Sequence, residues 1–387
     1  MSAVEELKII LQHDIDEQYQ YQPGEIIRGN IVIKLSRPTA IRTITVKVYG
    51  EGNVSWKDDD SDVIQAQEVY VDAAKTVVDM ASQDPLSLPR GIHEFSFDYL
   101  LPDNIPSSYI GKYGNVTYTM RATVNGVNSI DTSICSEPFL VLRDSPLSGK
   151  ADQPVQLHTE KRLWASCTFA KLHINVSLDR QGGVPGEDIF INAELKNFSR
   201  RTVTAMQASL IMKSTFRAKN KSTMFRQVVS KKRDEFDISY MEGRRWTFAR
   251  LTLPPYIPES KLEHCDIIEL DYFFQFKVEL TRGAEVVLEA PILIGSKPQG
   301  LEIPTDEKAG LKINRKWTVR GSKNFQEFDE NGDEKLQMEY NDGWGVEIVP
   351  EMRPEAAVVA NPLFQHNLVR QQGVKVYPDE VIENTKL

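Results

Sequence analysis

A Pro-Gly-Glu turn opening an alternating apolar run occurs twice in this chain, and no other feature constrains its fold so tightly. The first copy is Pro23-Gly24-Glu25, followed by Ile27, Gly29, Ile31, Ile33 and Leu35 on the odd positions. The second is Pro185-Gly186-Glu187, followed by Ile189, Ile191, Ala193 and Leu195, with Asn192, Glu194 and Lys196 between them. Proline presets φ for the second residue of a turn and glycine accepts the positive φ after it. Period-2 alternation then predicts a half-buried strand of an antiparallel sheet.

The echo continues in register. Ile41, Ile44 and Val46 lie as far beyond Pro23 as Val203, Met206 and Ala208 lie beyond Pro185. Leu101-Pro102-Asp103-Asn104-Ile105-Pro106-Ser107-Ser108 is matched by Leu253-Pro254-Pro255-Tyr256-Ile257-Pro258-Glu259-Ser260. A tyrosine-led strand follows each segment, at Tyr118–Val124 and Tyr272–Val278. A repeat on this scale reads as a duplicated domain, not a solenoid of short units. The fold class expected is all-β: two tandem immunoglobulin-like antiparallel β-sandwiches followed by a tail.

These same residues carry a resemblance to a known family. The Pro-Gly-Glu strand, Asn197-Phe198-Ser199 at its end and the paired Leu-Pro-x-x-Ile-Pro segments resemble the arrestin fold. So do Cys265-Asp266-Ile267-Ile268-Glu269-Leu270-Asp271-Tyr272 and Pro291-Ile292-Leu293-Ile294-Gly295-Ser296. Val48-Tyr49-Gly50-Glu51-Gly52-Asn53-Val54-Ser55-Trp56, with Tyr21 and Gly29, is similar to the arrestin-domain-containing, or α-arrestin, branch. The likeness covers about residues 5–298. Fold-level analogy warrants a function only weakly, so each site requires its own argument.

Expected boundaries are 1–142 for the first sandwich, 143–154 for a linker, 155–298 for the second sandwich and 299–387 for an acidic, mostly disordered tail. The linker Arg143–Pro154 is rich in Pro, Ser, Gly and charge. In the tail, alternation fades and sixteen Asp/Glu stand against eleven Lys/Arg. The run Asp58–Asp62 reads as a solvated acidic loop, since it lacks the glycine and distal Glu of a calcium-binding loop. His93 has no second His or Cys nearby and reads as a surface or edge residue.

Three cysteines, Cys135, Cys167 and Cys265, form no CxxC or metal-ligand spacing, which argues for a reducing compartment. Early charge and the lack of an apolar core read against a signal peptide, and no apolar run approaches the ~18 residues of a membrane span. The five Asn-x-Ser/Thr sequons, at Asn53, Asn115, Asn175, Asn197 and Asn220, would then never meet the glycosylation machinery. The location expected is cytoplasmic, with recruitment to plasma membrane or endosomes. A net charge of −9 argues against nucleic-acid binding by the whole chain. It hides an asymmetry: residues 197–250 hold thirteen Lys/Arg against four Asp/Glu.

That basic stretch supplies the main binding candidates. Lys213, Arg217, Lys219 and Lys221 fall on odd positions, hence on one face if the strand is continuous, and Arg226, Lys231, Lys232 and Arg233 follow. Two readings stand: a solvated face with lysines guarding a sheet edge, or a patch for anionic lipid headgroups or acidic and phosphorylated tails. Catalytic motifs, cofactor loops and metal spacings are absent from the sequence, so no enzyme, cofactor or metal is expected. His264 and Cys265 are adjacent on an expected strand and would face opposite ways, so they do not make a nucleophile–base pair.

The resemblance implies a non-enzymatic adaptor linking membrane-protein cargo to endocytosis, endosomal sorting or ubiquitination, with a ubiquitin ligase or endocytic coat proteins as partners. Relatives dock WW domains of ligases through Pro-Pro-x-Tyr motifs in the tail. This chain departs from that pattern, because Pro254-Pro255-Tyr256 lacks the spacer and sits within the repeat. Asn361-Pro362-Leu363-Phe364 loosely resembles an endocytic Asn-Pro motif, making Asn361, Pro362 and Phe364 tail candidates. A Cys commonly stands in relatives where Cys265 does, and one of them captures thioredoxin through a thiol. A redox-linked regulator is therefore the alternative, and a structural, retromer-like subunit a third reading.

Overall fold

The computed structural model describes residues 3–12, 20–58, 61–127, 132–147, 149–165, 168–254, 257–296, 326–328, 334–337, 339–341, 345–347 and 381–386. The first sandwich contains β1 (Val4–Gln12), β2 (Gln20–Tyr21), β3 (Ile26–Leu35), β4 (Thr39–Lys57) and β5 (Val63–Asp79). It continues with β6 (Leu86–Leu88), β7 (Gly91–Leu100), β8 (Tyr109–Ile110), β9 (Gly114–Gly126) and β10 (Thr132–Val141). One sheet runs β1-β3-β7; the other runs β2-β10-β9-β4-β5, with β6 on β4 and β8 on β9.

The second sandwich contains β11 (Val155–Ala165), β12 (Thr168–Leu178), β13 (Gly182–Gly183), β14 (Asp188–Phe198) and β15 (Val203–Ala218). Next come β16 (Lys221–Ile238), β17 (Glu242–Thr252), β18 (Ile268–Leu280) and β19 (Ala284–Ile294). Two short hairpins follow, β20 (Gln326–Phe328) with β21 (Glu334–Gln337) and β22 (Glu339–Asn341) with β23 (Gly345–Glu347), and then β24 (Val381–Lys386). Its sheets run β11-β12-β14-β17-β24 and β13-β19-β18-β15-β16.

Strand order is thus repeated. The path β2-β10-β9-β4-β5 in the first domain is β13-β19-β18-β15-β16 in the second, and β1-β3-β7 is β12-β14-β17. The strands β11 and β24 are additions to that pattern, one on each edge. Residues 381–386, which fall within the tail expected to be mostly disordered, belong to the second sandwich's sheet. A strand pattern of six residues with one Ile is too short to stand out from a polar background.

Local chemistry explains why both copies fold alike. Gly24 (φ 78°) and Gly186 (φ 89°) take the left-handed position of turns closed by Glu25 N–H to Gln22 O and Glu187 N–H to Val184 O, both 3.1 Å. The glutamate is part of the turn: its carboxylate accepts from Gln22 N–H at 2.8 Å in one domain and Val184 N–H at 3.1 Å in the other. Its carbonyl then receives Leu101 N–H at 2.9 Å or Leu253 N–H at 2.8 Å, joining the turn to the Leu-Pro segment. Tyr118 and Tyr272 each donate to the carbonyl of the second proline, Pro106 or Pro258, at 2.7 Å.

The three-then-two spacing of Ile41, Ile44 and Val46 also has a cause. The β4–β9 ladder shifts between Ile41 and Thr43, and the β15–β18 ladder shifts at the corresponding place, between Val203 and Ala205. A bulge adds one residue and restores inward facing after it. All six of these apolar side chains are buried. Asn197, also buried, donates to the carbonyls of Arg201 (2.9 Å) and Ile238 (3.0 Å) and accepts from Ser199, so the Asn-Phe-Ser sequence staples its own turn to the end of β16.

Candidate interaction surfaces

The basic stretch folds as the β15–β16 hairpin. Lys219 (φ 50°) and Asn220 (φ 61°) form its two-residue turn, the paired left-handed conformation that matches the twist of a hairpin. The strand is therefore not continuous through Lys221, which corrects the expectation of a single odd-numbered face. Lys219 lies in the turn, and Lys221 pairs with Ala218 on the opposite strand. The register sets Arg226 beside Lys213, Lys231 beside Ser209, Lys232 beside Ala208 and Arg233 beside Gln207. Lys213, Arg217, Arg226, Lys231 and Arg233 consequently share the outer face, while Lys221 and Lys232 belong to the other.

Carboxylates from β18 and β19 interleave with this face. Lys213 pairs with Asp271 (3.2 Å), Arg217 with Glu269, and Arg226 with Glu289 (2.7 Å). Arg233 is bound by Glu279 through both terminal nitrogens (2.9 and 2.8 Å) and by Glu235 (2.9 Å). The hydrogen bonds from Arg233 and Lys277 hold the Glu279 carboxyl down at about 2. Phe273 lies between the cations, its ring centre 5.9 Å from Lys213 Nζ and 5.7 Å from the Arg226 guanidinium. The face is a lattice of both signs; such pairs in solvent are each worth about 0–1 kcal/mol and yield to a better anion.

The tip of the same hairpin is rooted in the other domain. Phe216 and Phe225 meet the edge of Tyr113 at 5.6 and 6.5 Å, and Lys112 Nζ stands 4.4 Å from the Phe225 ring centre. Tyr109 and Ser214 share a buried hydrogen bond of 2.9 Å. Lys221 reaches Asp58 at 2.6 Å, and Asp58 also accepts from Asp62 N–H (2.9 Å), closing its own loop. The acidic run is thus in part an interdomain anchor.

Residues 257–270 complete the seam. Phe216, Ala218, Leu262, Cys265, Ile268 and Leu270 join the hydrophobic core of the first sandwich, so one apolar cluster runs across both domains. Lys261, Leu262 and His264 all take positive φ (78°, 52° and 66°), a conformation costly to side chains with a Cβ. Burial of Leu262 between the sandwiches offsets that cost. Beside it Arg143 pairs with Glu263 (3.3 Å) and donates to Asp103 O (2.8 Å). Ser107 accepts from Arg143 N–H (2.9 Å) and bonds to Glu259. Glu259 is buried, with Oε1 unpaired, and desolvation pushes its carboxyl up. Glu259 escaped the sequence reading, though the repeat held the signal: Ser107-Ser108 in one copy is Glu259-Ser260 in the other.

Cys265 lines a surface cleft of about 460 Å³ with Arg217, His264, Asp266 and Glu269. Its sulfur is 3.0 Å from the Tyr70 hydroxyl, which is also 2.9 Å from Glu68. Burial pushes the thiol up, and the side chain is 9 % exposed. That environment favours a structural thiol over a reactive one. Cys167, Pro255, Tyr256, Asn361, Pro362 and Phe364 lie outside the described residues.

Comparison with known families agrees with this architecture. The arrestin (or S-antigen) N-terminal domain matches residues 11–148 and the arrestin (or S-antigen) C-terminal domain matches residues 169–299. Arrestin domain-containing protein 1 of Homo sapiens is 28% identical over 76% of this chain and 65% of its own length. The Mus musculus protein of the same name is 28% identical over 71% of the chain and 61% of its own length. Arrestin domain-containing protein 4 of Homo sapiens is 26% identical over 72% of the chain and 68% of its own length. The match thus spans less than two thirds of the first two relatives. With both domain models matched in order over two sandwiches of repeated topology, the chain belongs to the arrestin family, in its arrestin-domain-containing, or α-arrestin, branch.

Proposed function

We propose that this chain is a non-enzymatic adaptor that binds membrane-protein cargo and brings it to sorting, endocytic or ubiquitination machinery in the cytoplasm. One observation carries the reading: the hairpin bearing the outer face of paired cations and carboxylates is rooted through Phe216 and Phe225 in the neighbouring sandwich. A binding surface fixed to both domains suits a scaffold, and its work is recognition without bond chemistry. Acidic or phosphorylated cargo tails would exchange with Glu269, Asp271, Glu279 and Glu289 for the guanidinium and ammonium groups. Contact with anionic headgroups would use the same exchange at plasma membrane or endosomes. A ligase or coat protein would be recruited by sequence beyond the sandwiches, where Asn361, Pro362 and Phe364 are the candidates.

The thioredoxin-like alternative through Cys265 has a buried sulfur and a raised thiol pKa to overcome. The test uses full-length chain with vesicles displaying acidic or phosphorylated cargo-tail peptides. Binding that falls at least tenfold in R226E/K231E/R233E, weakens with salt and survives in Cys265→Ser supports the adaptor. Equal binding by wild type and the triple variant removes the basic face from the reading. Binding lost in Cys265→Ser with dithiothreitol-sensitive capture would favour the thiol.

A further inference from the structure

The strand β24 stands on the outer edge of β17, with Thr247 opposite Val381 and Glu242 opposite Lys386. It has no counterpart in the repeated plan. In the first sandwich the corresponding edge strand is β7, which pairs β3 alone among the described residues. The sandwich fold therefore closes without a strand in this position. An edge of this kind presents a row of backbone N–H and C=O groups that any extended segment can complete.

The edge also reads sequence. The register sets Lys386 opposite Glu242 and Glu383 opposite Arg245 along the backbone, and Arg245 itself pairs with Glu194 of β14 at 2.7 Å. Between them Asn384 accepts from Arg244 Nη1 at 2.6 Å. Arg244 is itself aimed by Asp234, which takes its Nε and Nη2 at 2.8 and 2.9 Å and also accepts from Trp246 Nε1 at 3.0 Å. The recognising arginine is thus preset by the sandwich, independently of β24. Opposite the buried Trp246 stands Ile382, 37 % exposed. The site has a defined length: Phe248 takes φ 52° and turns its N–H to Asn192 Oδ1 (2.9 Å), so the ladder with β24 stops at Thr247.

We propose that the β17 edge over Glu242–Thr247 is a strand-docking site, occupied in cis by residues 381–386, that accepts an external extended peptide of the same pattern. That pattern is an apolar residue opposite Trp246 and, two positions on, an amide opposite Arg244. Covalent attachment raises the effective concentration of the resident strand, so an outside peptide binds well only when that strand is withdrawn.

The test is amide hydrogen exchange across 242–247 in three samples of full-length chain. In wild type those of the amides that point at β24, every second one along the edge, exchange slowly. In Glu383→Pro/Asn384→Pro they exchange at least tenfold faster, since one of any two adjacent residues points its N–H at the neighbouring strand and proline supplies none. Unchanged exchange in β14 and β18 confirms the sandwich is intact in that variant. Adding a synthetic peptide of residues 378–387 to the variant restores slow exchange saturably, and the same peptide labels wild type at least tenfold more weakly. Fast exchange in wild type, no restoration, or equal restoration by a scrambled peptide overturns the proposal. Protection in wild type that is lost on dilution, with a dimer by light scattering, would assign the strand to a second copy and overturn the cis occupancy.

Discussion

Glu259 is the residue on which the chemistry of the seam turns. Its carboxyl is pushed above the ordinary range by burial, the Ser107 hydrogen bond and the Arg143 charge notwithstanding. A carboxyl raised in the folded state keeps a proton that the unfolded chain releases. Its contribution to stability is full below the unfolded pKa, near 4.3 for Glu, and is lost as pH rises through the folded value. Glu259→Gln keeps a side chain of the same shape and removes the titration. We expect its denaturation midpoint to exceed that of wild type at neutral pH, and the two to converge near pH 4, in unfolding curves taken across that range. A wild-type midpoint as high as the variant's at neutral pH would show the carboxylate to be satisfied. At the same scale, sequence reasoning located Cys265 as a thiol but could not see that Tyr70, almost two hundred positions away, stands against its sulfur.

Among elements, the two Pro-Gly-Glu strands were legible because their cause is local. Turn chemistry, alternation and the glutamate that closes the turn all lie within a few residues, so Ile27 to Leu35 and Ile189 to Leu195 face inward as their spacing demands. Gly186→Ala tests the turn: φ 89° strains any side chain, and about 1–2 kcal/mol should be lost in denaturant unfolding. Gly24→Ala should cost a similar amount, since φ 78° carries the same strain and the one close neighbour of its Cβ, Asp103 Oδ1, ends an exposed side chain that can turn away. Equal stability of either variant with wild type would mean the turn relaxes to another type. The hairpin at Lys219-Asn220 was not legible as a turn. Lys-Asn lacks the glycine of a strong hairpin signal, and the odd-numbered cations suggested a continuous strand. The site's ion pairs were hidden for another reason: Glu269, Asp271, Glu279 and Glu289 come from strands brought alongside only by the fold.

For the whole molecule, two domains were readable from the repeat, but their fusion into one body was not. Interdomain packing depends on which apolar side chains are left over after each sandwich has closed, and nothing in a period-2 pattern marks those. Leu262, Phe216 and Ile268 are such residues. Leu262→Ala should lower stability by about 2–5 kcal/mol if the seam cannot collapse around the cavity. Wild type should unfold in one transition, seen by simultaneous loss of amide protection in β9 and β18; the variant should separate the two. Two separate transitions in wild type would mean the shared cluster does not couple the domains.

The β15–β16 hairpin joins these scales. It is a lever with its fulcrum at the domain boundary: the short arm, Phe216 to Phe225, is gripped by Tyr113 and Asp58, and the long arm carries Arg226, Lys231 and Arg233. A ligand that pulls on the long arm must load the short one. Charge substitutions at Arg226 or Arg233 leave that grip in place, although each also frees the carboxylate it holds, Glu289 or Glu279, whereas a substitution at Lys221 removes the Asp58 contact of the pivot itself.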